Sequence, residues 1–289
     1  MLKAFKYRMY PNREQQDIFN KYFGAVRFVY NWGLEQKIQV YKETGKSISR
    51  FTLNNELINL KKENNWLKDI YSQTLQGAIL NLENAFTKFF KEKNKFPKFK
   101  SKKNRVQSFS IPQHYKVDFD NNKVRLPKIG WIKTKLKRKF EGKLKTATVS
   151  MTNTGKYYIS ILIDNDKNLP IKSKFNKNST IGLDMGLNFF LIDSNGNKID
   201  NPRILKKQLK RLKRENRKLS RKKKGSNNRN KQKLKIALIH EKIHDIREDF
   251  QHKLSYQIVC ENQAIAIEKL NIKGMIKNKY LAQSISDVG

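Results

Sequence analysis

The sequence predicts an α+β chain of more than one domain. A β-domain is interrupted by a helical insertion and followed by a segment of short strands and long basic helices. Three observations predict this. The first ten residues alternate as a strand does, yet helical periodicity follows at once and recurs to about residue 92. From about 105 to 164 the chain turns to short alternating runs joined by turn residues. After residue 176 the pattern changes again, and residues 203–235 hold seventeen Lys or Arg and one acid, Glu215.

Each element has its own signal. The run LKAFKYRMYPN alternates and stops at Pro11, so a strand ends near Tyr10. Asn12 then caps a helix, and Gln15 three residues on completes a capping box. Helical spacing continues through Ile18, Tyr22, Val26 and Val29. Further helices are expected near 52–63 and 73–92, the second with a stripe of Leu75, Ile79, Leu82, Phe86 and Phe89. VDF-DNN-KVRL and TATVSMT-NTG-KYYISILI read as β-hairpins. Residues 180–184 and 188–193 read as strands around a tight turn, and Ser194-Asn195-Gly196 closes a second turn. GSNNRN splits the basic stretch into two helices. The later one carries Ile236, Ile239, Ile243, Ile246, Phe250 and Leu254 as a core stripe. QAIAIEKL reads as a short strand ending at Glu268.

Composition constrains the partners. The 289 residues carry 63 Lys+Arg against 25 Asp+Glu, a formal net charge of +38. A compact body with that charge repels itself unless a polyanion neutralises it, and nucleic acid is the obvious one. An anionic membrane surface is the runner-up, but the sequence holds neither a long apolar span nor a signal peptide, so no membrane partner is expected. Aromatics at 11% exclude a disordered basic tail. The single Cys260 excludes internal disulfides and a multi-cysteine zinc knuckle within these residues, and suits a reducing cytoplasm.

Two carboxylates stand out against that basic background. Asp184 ends the strand TIGLD and Glu268 ends AIAIE. Two carboxylates converging from neighbouring strands make a hard-oxygen site suited to Mg²⁺, and paired Mg²⁺ ions hydrolyse phosphodiesters. The plainer alternative is that each acid pairs with one of the many lysines. Lys207, Lys210, Arg211, Arg214, Arg217, Lys218 and Arg221 recur at spacings of three and four, so they line one helix face. With no acids interleaved, phosphate contact is the better reading than a merely solvated face. Lys98 and Lys100, spaced around Phe96, Pro97 and Phe99, belong either to an anchored loop or to a connector facing nucleic acid. Ser72, Gln73 and Gln76 lie near one face at a helix start, and Gln can bond adenine bidentately. Residues 240–244, HEKIH, match a zinc-protease pattern. That pattern is discounted because Ile239 and Ile243 point inward and turn His240 and His244 to the polar flank.

Several stretches resemble one family. KYRMYPNREQ, RFVYNWGL at 27–34, FPKFKSKKNRVQSF at 96–109, GLDMGL at 182–187 and IAIEKLNIKGM at 265–275 are similar, in order, to the recurring motifs of TnpB. TnpB is the RNA-guided nuclease of bacterial insertion sequences, related to type V CRISPR effectors. The resemblance implies a β-barrel wedge domain at 1–11 and 96–176, a helical recognition lobe at 12–95, and a RuvC nuclease domain of RNase H-like fold at 177–289. It implies that Asp184 and Glu268 are the first two catalytic carboxylates and ligands of Mg²⁺. The helix at Ser72, Gln73 and Gln76, together with Ser108 and Ser110, would read the duplex motif beside the target. The family's third carboxylate falls beyond Gly289, after a four-cysteine zinc module, so no zinc is expected in residues 1–289 and cleavage by them is in doubt. Asp287 belongs to a family motif but not to the catalytic set. The expected partners are a guide RNA from the transposon end and a double-stranded DNA target, in a bacterial cytoplasm at the nucleoid. An RNA-guided DNA binder or repressor that no longer cuts is the alternative. A basic structural RNA-binding protein is more distant, because it leaves the two strand-end acids unexplained.

Overall fold

The computed structural model describes residues 1–103, 107–168, 176 and 179–288. They fall into two units, Met1–Leu169 and Pro170–Gly289. The expected boundary at 176/177 abuts Lys177, which lies outside the described residues, as do residues 104–106 of the 96–109 motif.

In the first unit β1 (Leu2–Tyr10) runs into α1 (Arg13–Thr44) through the capping box read from the sequence. The Asn12 side chain accepts from the Gln15 N–H at 2.8 Å, and the Gln15 side chain accepts from the Asn12 N–H at 3.1 Å. Gly45 ends α1 at φ 68°, a left-handed conformation that costs glycine little. α2 (Arg50–Glu63), a 3-10 turn (Asn65–Asp69) and α3 (Ser72–Glu92) follow. The chain then lays down β2 (Gln107–Ile111), β3 (Lys116–Asp118), β4 (Lys123–Leu126), β5 (Gly130–Lys135), β6 (Lys143–Met151) and β7 (Tyr157–Asp164). With β1 they form one seven-stranded sheet in the order β2-β6-β7-β1-β5-β4-β3. β1 is central and antiparallel to both β7 and β5. Helices α1–α3 thus leave from the middle of the sheet.

The alternation has its expected consequence. Tyr7 and Met9 of β1, Ile159 and Ile161 of β7, and Phe109 of β2 point to one face and are buried. Phe19, Tyr22 and Phe23 of α1 meet Phe109 with ring centroids 4.9 to 5.7 Å apart. Leu75, Ile79 and Leu82 of α3 are buried in the same core, with Phe86 packed at its margin. The helices and the sheet therefore share one hydrophobic core. Tyr22 adds a polar tie: its hydroxyl accepts from the Tyr71 N–H at 3.1 Å, fixing the start of α3.

The second unit holds β8 (Thr180–Asp184), β9 (Phe189–Asp193), β10 (Lys198–Asp200), α4 (Ile204–Ser220), α5 (Asn227–Glu261), β11 (Ala264–Ile267), α6 (Ile272–Met275) and α7 (Ala282–Val288). The strand order is β10-β9-β8-β11, with β11 parallel to β8 and the other pairs antiparallel. α4 and α5 pack through buried Ile204, Leu212, Ile239 and Ile243. Only part of the stripe read on α5 is buried: Ile246 is 41% exposed, while Phe250 stacks edge-on against Phe190 at 4.9 Å. Among the described residues no helix is long and apolar enough to cross a membrane.

Candidate carboxylate site and basic surfaces

The parallel ladder between β8 and β11 brings the two acids together. Gly182 pairs with Ala266 and Leu183 with Ile267, so Asp184 and Glu268 stand on the next rung. By alternation both project on the face of the small Gly182 and Ala266. Adjacent strands lie about 4.8 Å apart, close enough for two carboxylates to share one cation. Both line a single shallow depression with Ile192 and Ser194. Both are exposed, and among the described residues neither side chain has a hydrogen bond or an ion pair. The salt-bridge alternative thus has no partner among the described residues.

Ser194 organises the rim: its Oγ accepts from the Gly182 N–H at 3.2 Å, and its own N–H donates to the Gly182 carbonyl at 2.9 Å. Asp193 also borders the depression, but its carboxylate is committed to the β9–β10 turn. It accepts from the Asn197 side chain at 2.8 Å and from the Asn195 and Asn197 N–H groups, which holds its pKa below the usual carboxylate range. Among the described residues no group of three or more His, Cys, Asp or Glu gathers as a metal cluster. The donor set of Asp184 and Glu268 still suits a hard cation such as Mg²⁺, which takes one or two protein carboxylates and keeps its other positions for water and phosphate oxygens. His240 and His244 of HEKIH are exposed on α5, and His244 Nδ1 lies 3.6 Å from Glu248, while Ile239 and Ile243 are buried as expected.

The predicted basic helix face is present on α4. Lys207, Lys210, Arg211, Arg214, Arg217 and Lys218 are all exposed there, and Arg221 sits just past the helix end. Arg211, Arg214 and Lys218 form one wall of a groove whose other wall is Lys235, Leu238 and Lys242 of α5. The sequence reading missed that second wall, because lysines on α5 count toward the groove only once the two helices pair. The single acid of this stretch is buried beneath it. Glu215 accepts from the Gln232 side chain at 2.8 Å, from Lys218 at 3.1 Å and from Arg214 at 3.2 Å. Those bonds, the Gln232 one first, bring its pKa down to about 2.

The residues expected to read a duplex motif fall in two places. At the start of α3 the Ser72 hydroxyl accepts from Lys61 at 2.8 Å, Gln73 is half-buried and Gln76 is exposed. The Tyr71 hydroxyl donates to Gln73 Oε1 at 2.7 Å and lies 2.8 Å from His114 Nδ1. Burial, with Lys128 and Lys68 nearby, lowers the pKa of Lys61. On β2, Ser110 meets Thr148 at 3.3 Å, and Ser108 lines a small cleft with Arg27 and Lys100. Among the described residues no hydrogen bond joins the two groups. Lys98 is exposed. Lys100 is tethered: Asn31 both donates to its carbonyl (3.0 Å) and accepts from its N–H (2.7 Å), and its ammonium sits 3.8 Å from the centre of the Tyr30 ring. His114 and Asn31 carried no local signal, since their partners Tyr71 and Lys100 lie 43 and 69 residues away.

Comparison with known proteins places this geometry in a family. A model described as "Probable transposase" matches residues 159–279, and one described as "Helix-turn-helix domain" matches residues 1–46, which fold here as β1 and the single helix α1. "Putative RNA-guided DNA endonuclease InsQ" of Escherichia coli K12 is 35% identical over 290 residues, covering 100% of this chain and 70% of that protein. A protein of the same description from Streptomyces pristinaespiralis is 35% identical over 295 residues, covering 99% of this chain and 71% of its own length. Among solved structures, the cryo-EM structure of the Cas12f1-sgRNA-target DNA complex has a similar fold, with TM-score 0.52 at 12% identity, covering 100% of this chain and 86% of that one. Identity of this extent along the whole sequence, together with the match to the transposase model, means that the chain belongs to the TnpB family.

Proposed function

We propose that this protein is an RNA-guided DNA-binding protein and endonuclease of the TnpB type, with Asp184 and Glu268 as its carboxylate pair. The observation that carries the reading is their pairing: two exposed strand-end acids share one depression and, among the described residues, have no cationic partner in a chain of net charge +38. In this reading 1–11 and 96–176 form the wedge domain, 12–95 the recognition lobe and 177–289 the RuvC domain. A guide RNA from the transposon end pairs with the target strand, and the protein reads a short duplex motif beside it. The relatives' names, which read "Putative RNA-guided DNA endonuclease", support guide RNA and DNA as partners.

The residues have separable tasks. Asp184 and Glu268 would hold Mg²⁺ with oxygen ligands from two strands fixed by the β8–β11 ladder. Bound there, Mg²⁺ supplies Lewis-acid stabilisation of the phosphodiester and lowers the pKa of its water. Ser194 keeps the Gly182 edge in place under the pair. The α4–α5 groove presents Arg211, Arg214 and Lys218 to phosphates, fixing the strand without reading its sequence. Gln73 and Gln76 at the start of α3, with Ser72, Ser108 and Ser110, are assigned to the duplex motif.

The test is guided cleavage with Mg²⁺, using the protein and the RNA transcribed from its own locus. Asp184→Ala should abolish cutting while guide and target binding persist. Undiminished cutting by Asp184→Ala would sink the assignment. Target binding without cutting by the unmutated protein would favour the alternative, a cleavage-deficient binder or repressor.

A further inference from the structure

Tyr71, the residue before α3, joins three elements of the first unit. Its N–H is bonded to the Tyr22 hydroxyl of α1, and its ring packs against the core. Its own hydroxyl reaches two groups at once. It donates to Gln73 Oε1 at 2.7 Å, and it lies 2.8 Å from Nδ1 of His114, in the loop between β2 and β3. The His114 ring stands edge-on to the phenol with 6.3 Å between centroids, and its backbone is left-handed at φ 64°. A hydroxyl has one proton to give. With that proton on Gln73, Nδ1 of His114 must carry a hydrogen and donate to the phenol oxygen. The bonds then run one way, from His114 through Tyr71 to Gln73. A bare Nδ1 would take the phenol proton instead, and Gln73 would have to turn its amide over to offer Nε2. Burial raises the pKa of Tyr71, which keeps the phenol proton in place.

We infer that, with Gln73 assigned to the duplex motif as proposed above, Tyr71 and His114 are positioning residues that fix the orientation of its amide and so set a preference for adenine. An amide reads a base by presenting its oxygen and nitrogen in a definite order. In the major groove adenine offers the N6 amino donor and the N7 acceptor, which match Oε1 and Nε2. An amide free to turn over can present either order. The Tyr71 proton occupies one lone pair of Gln73 Oε1 and leaves the other for N6, with the Nε2 hydrogens left for N7. Gln76, one turn on, is exposed, and its side chain has no hydrogen bond among the described residues. The two glutamines therefore differ: Gln73 is held before DNA arrives, and Gln76 is not. Holding a side chain in advance spares the rotamer freedom that a mobile one loses on binding.

The test is selection from target duplexes randomised in the motif, using the full chain loaded with the guide RNA of its own locus. Gln73→Ala should lower the preference for adenine at one motif position about tenfold. Tyr71→Phe keeps the ring and the backbone bond to Tyr22, and should lower the preference at that same position about fivefold. The double variant should be no worse than Gln73→Ala, because the phenol acts only through the amide. His114→Gly suits the left-handed backbone while removing the ring, so it should behave as Tyr71→Phe does. His114→Asn keeps a polar group near the place of Nδ1 and tolerates that backbone, so it should restore the preference. Full adenine preference in Tyr71→Phe, with Gln73→Ala impaired, would overturn the relay alone. A Gln73→Ala variant with unaltered motif preference would overturn the assignment of Gln73 and the relay with it. Additive losses in the double variant would mean that Tyr71 meets DNA itself, and an equal loss at every motif position in Tyr71→Phe and His114→Gly would mean a structural role; either result also overturns the relay.

Discussion

At the scale of single residues, Asp184 and Glu268 have no hydrogen-bond or ion-pair partner among the described residues. Asp193, Asp164 and Glu215 are each tied to donors that lower their pKa. It follows that Asp184→Asn and Glu268→Gln should each weaken Mg²⁺ binding to the chain, read by titration calorimetry, without lowering the melting temperature. A loss of several degrees in either variant would mean the acid serves the fold instead. A second residue-scale distinction separates reading from gripping. Gln73→Ala and Gln76→Ala should relax preference at the duplex motif, since a bidentate base contact is worth about 1–3 kcal/mol. Arg214→Ala should weaken binding to all sequences alike. Motif preference that survives both glutamine changes would move the reader elsewhere, with His114 and Tyr71 the adjacent candidates.

At the scale of elements, the paired helices α4 and α5 put many like charges side by side, and Glu215 is the counterweight inside. Its folded pKa of about 2 lies below its ordinary 4.5. The stability it contributes is therefore complete above about pH 4.5 and is lost as pH falls toward 2. Thermal melts of the wild type should lose more between those two pH values than melts of Glu215→Gln, which has no charge to titrate. Parallel pH curves would show that the bonds from Gln232, Lys218 and Arg214 carry no net weight. Capping gives a contrast in legibility. Asn12 and Gln15 sit three residues apart, so their box could be read directly from the sequence, and Asn12→Ala should cost about 1 kcal/mol. The first turn of α4 has no such local cap, because Arg203 precedes it at φ 47°. Its Leu205 and Lys206 N–H groups are instead met by Asp287, at 2.7 and 3.3 Å, from 82 residues away. Strands, hairpins and the Asp184 and Glu268 strand ends were legible because their signals span a few residues. The central place of β1 in the sheet, the α5 wall of the basic groove and the Asp287 cap were not, because each depends on a partner that only tertiary packing supplies.

At the scale of the whole molecule, charge sets the partner before any motif does. A net +38 resists compaction unless anions condense on it. The α4–α5 groove, lined by Arg211, Arg214, Lys218, Lys235 and Lys242, is one surface for them. The purified protein should therefore carry RNA, and its affinity should fall linearly in log salt. The slope should be near −0.9 per neutralised duplex phosphate, or roughly −0.7 per phosphate for a single strand. Because Arg211 and Arg214 face solvent from the groove wall, replacing each by alanine should reduce the magnitude of the slope by about one phosphate contact; Arg211→Ala should leave the melting temperature within experimental error, whereas Arg214→Ala also removes a bond to Glu215. A slope that ignores both arginines would mean that nucleic acid bypasses the groove, and affinity that is flat in salt would remove the polyanion argument for the chain as a whole.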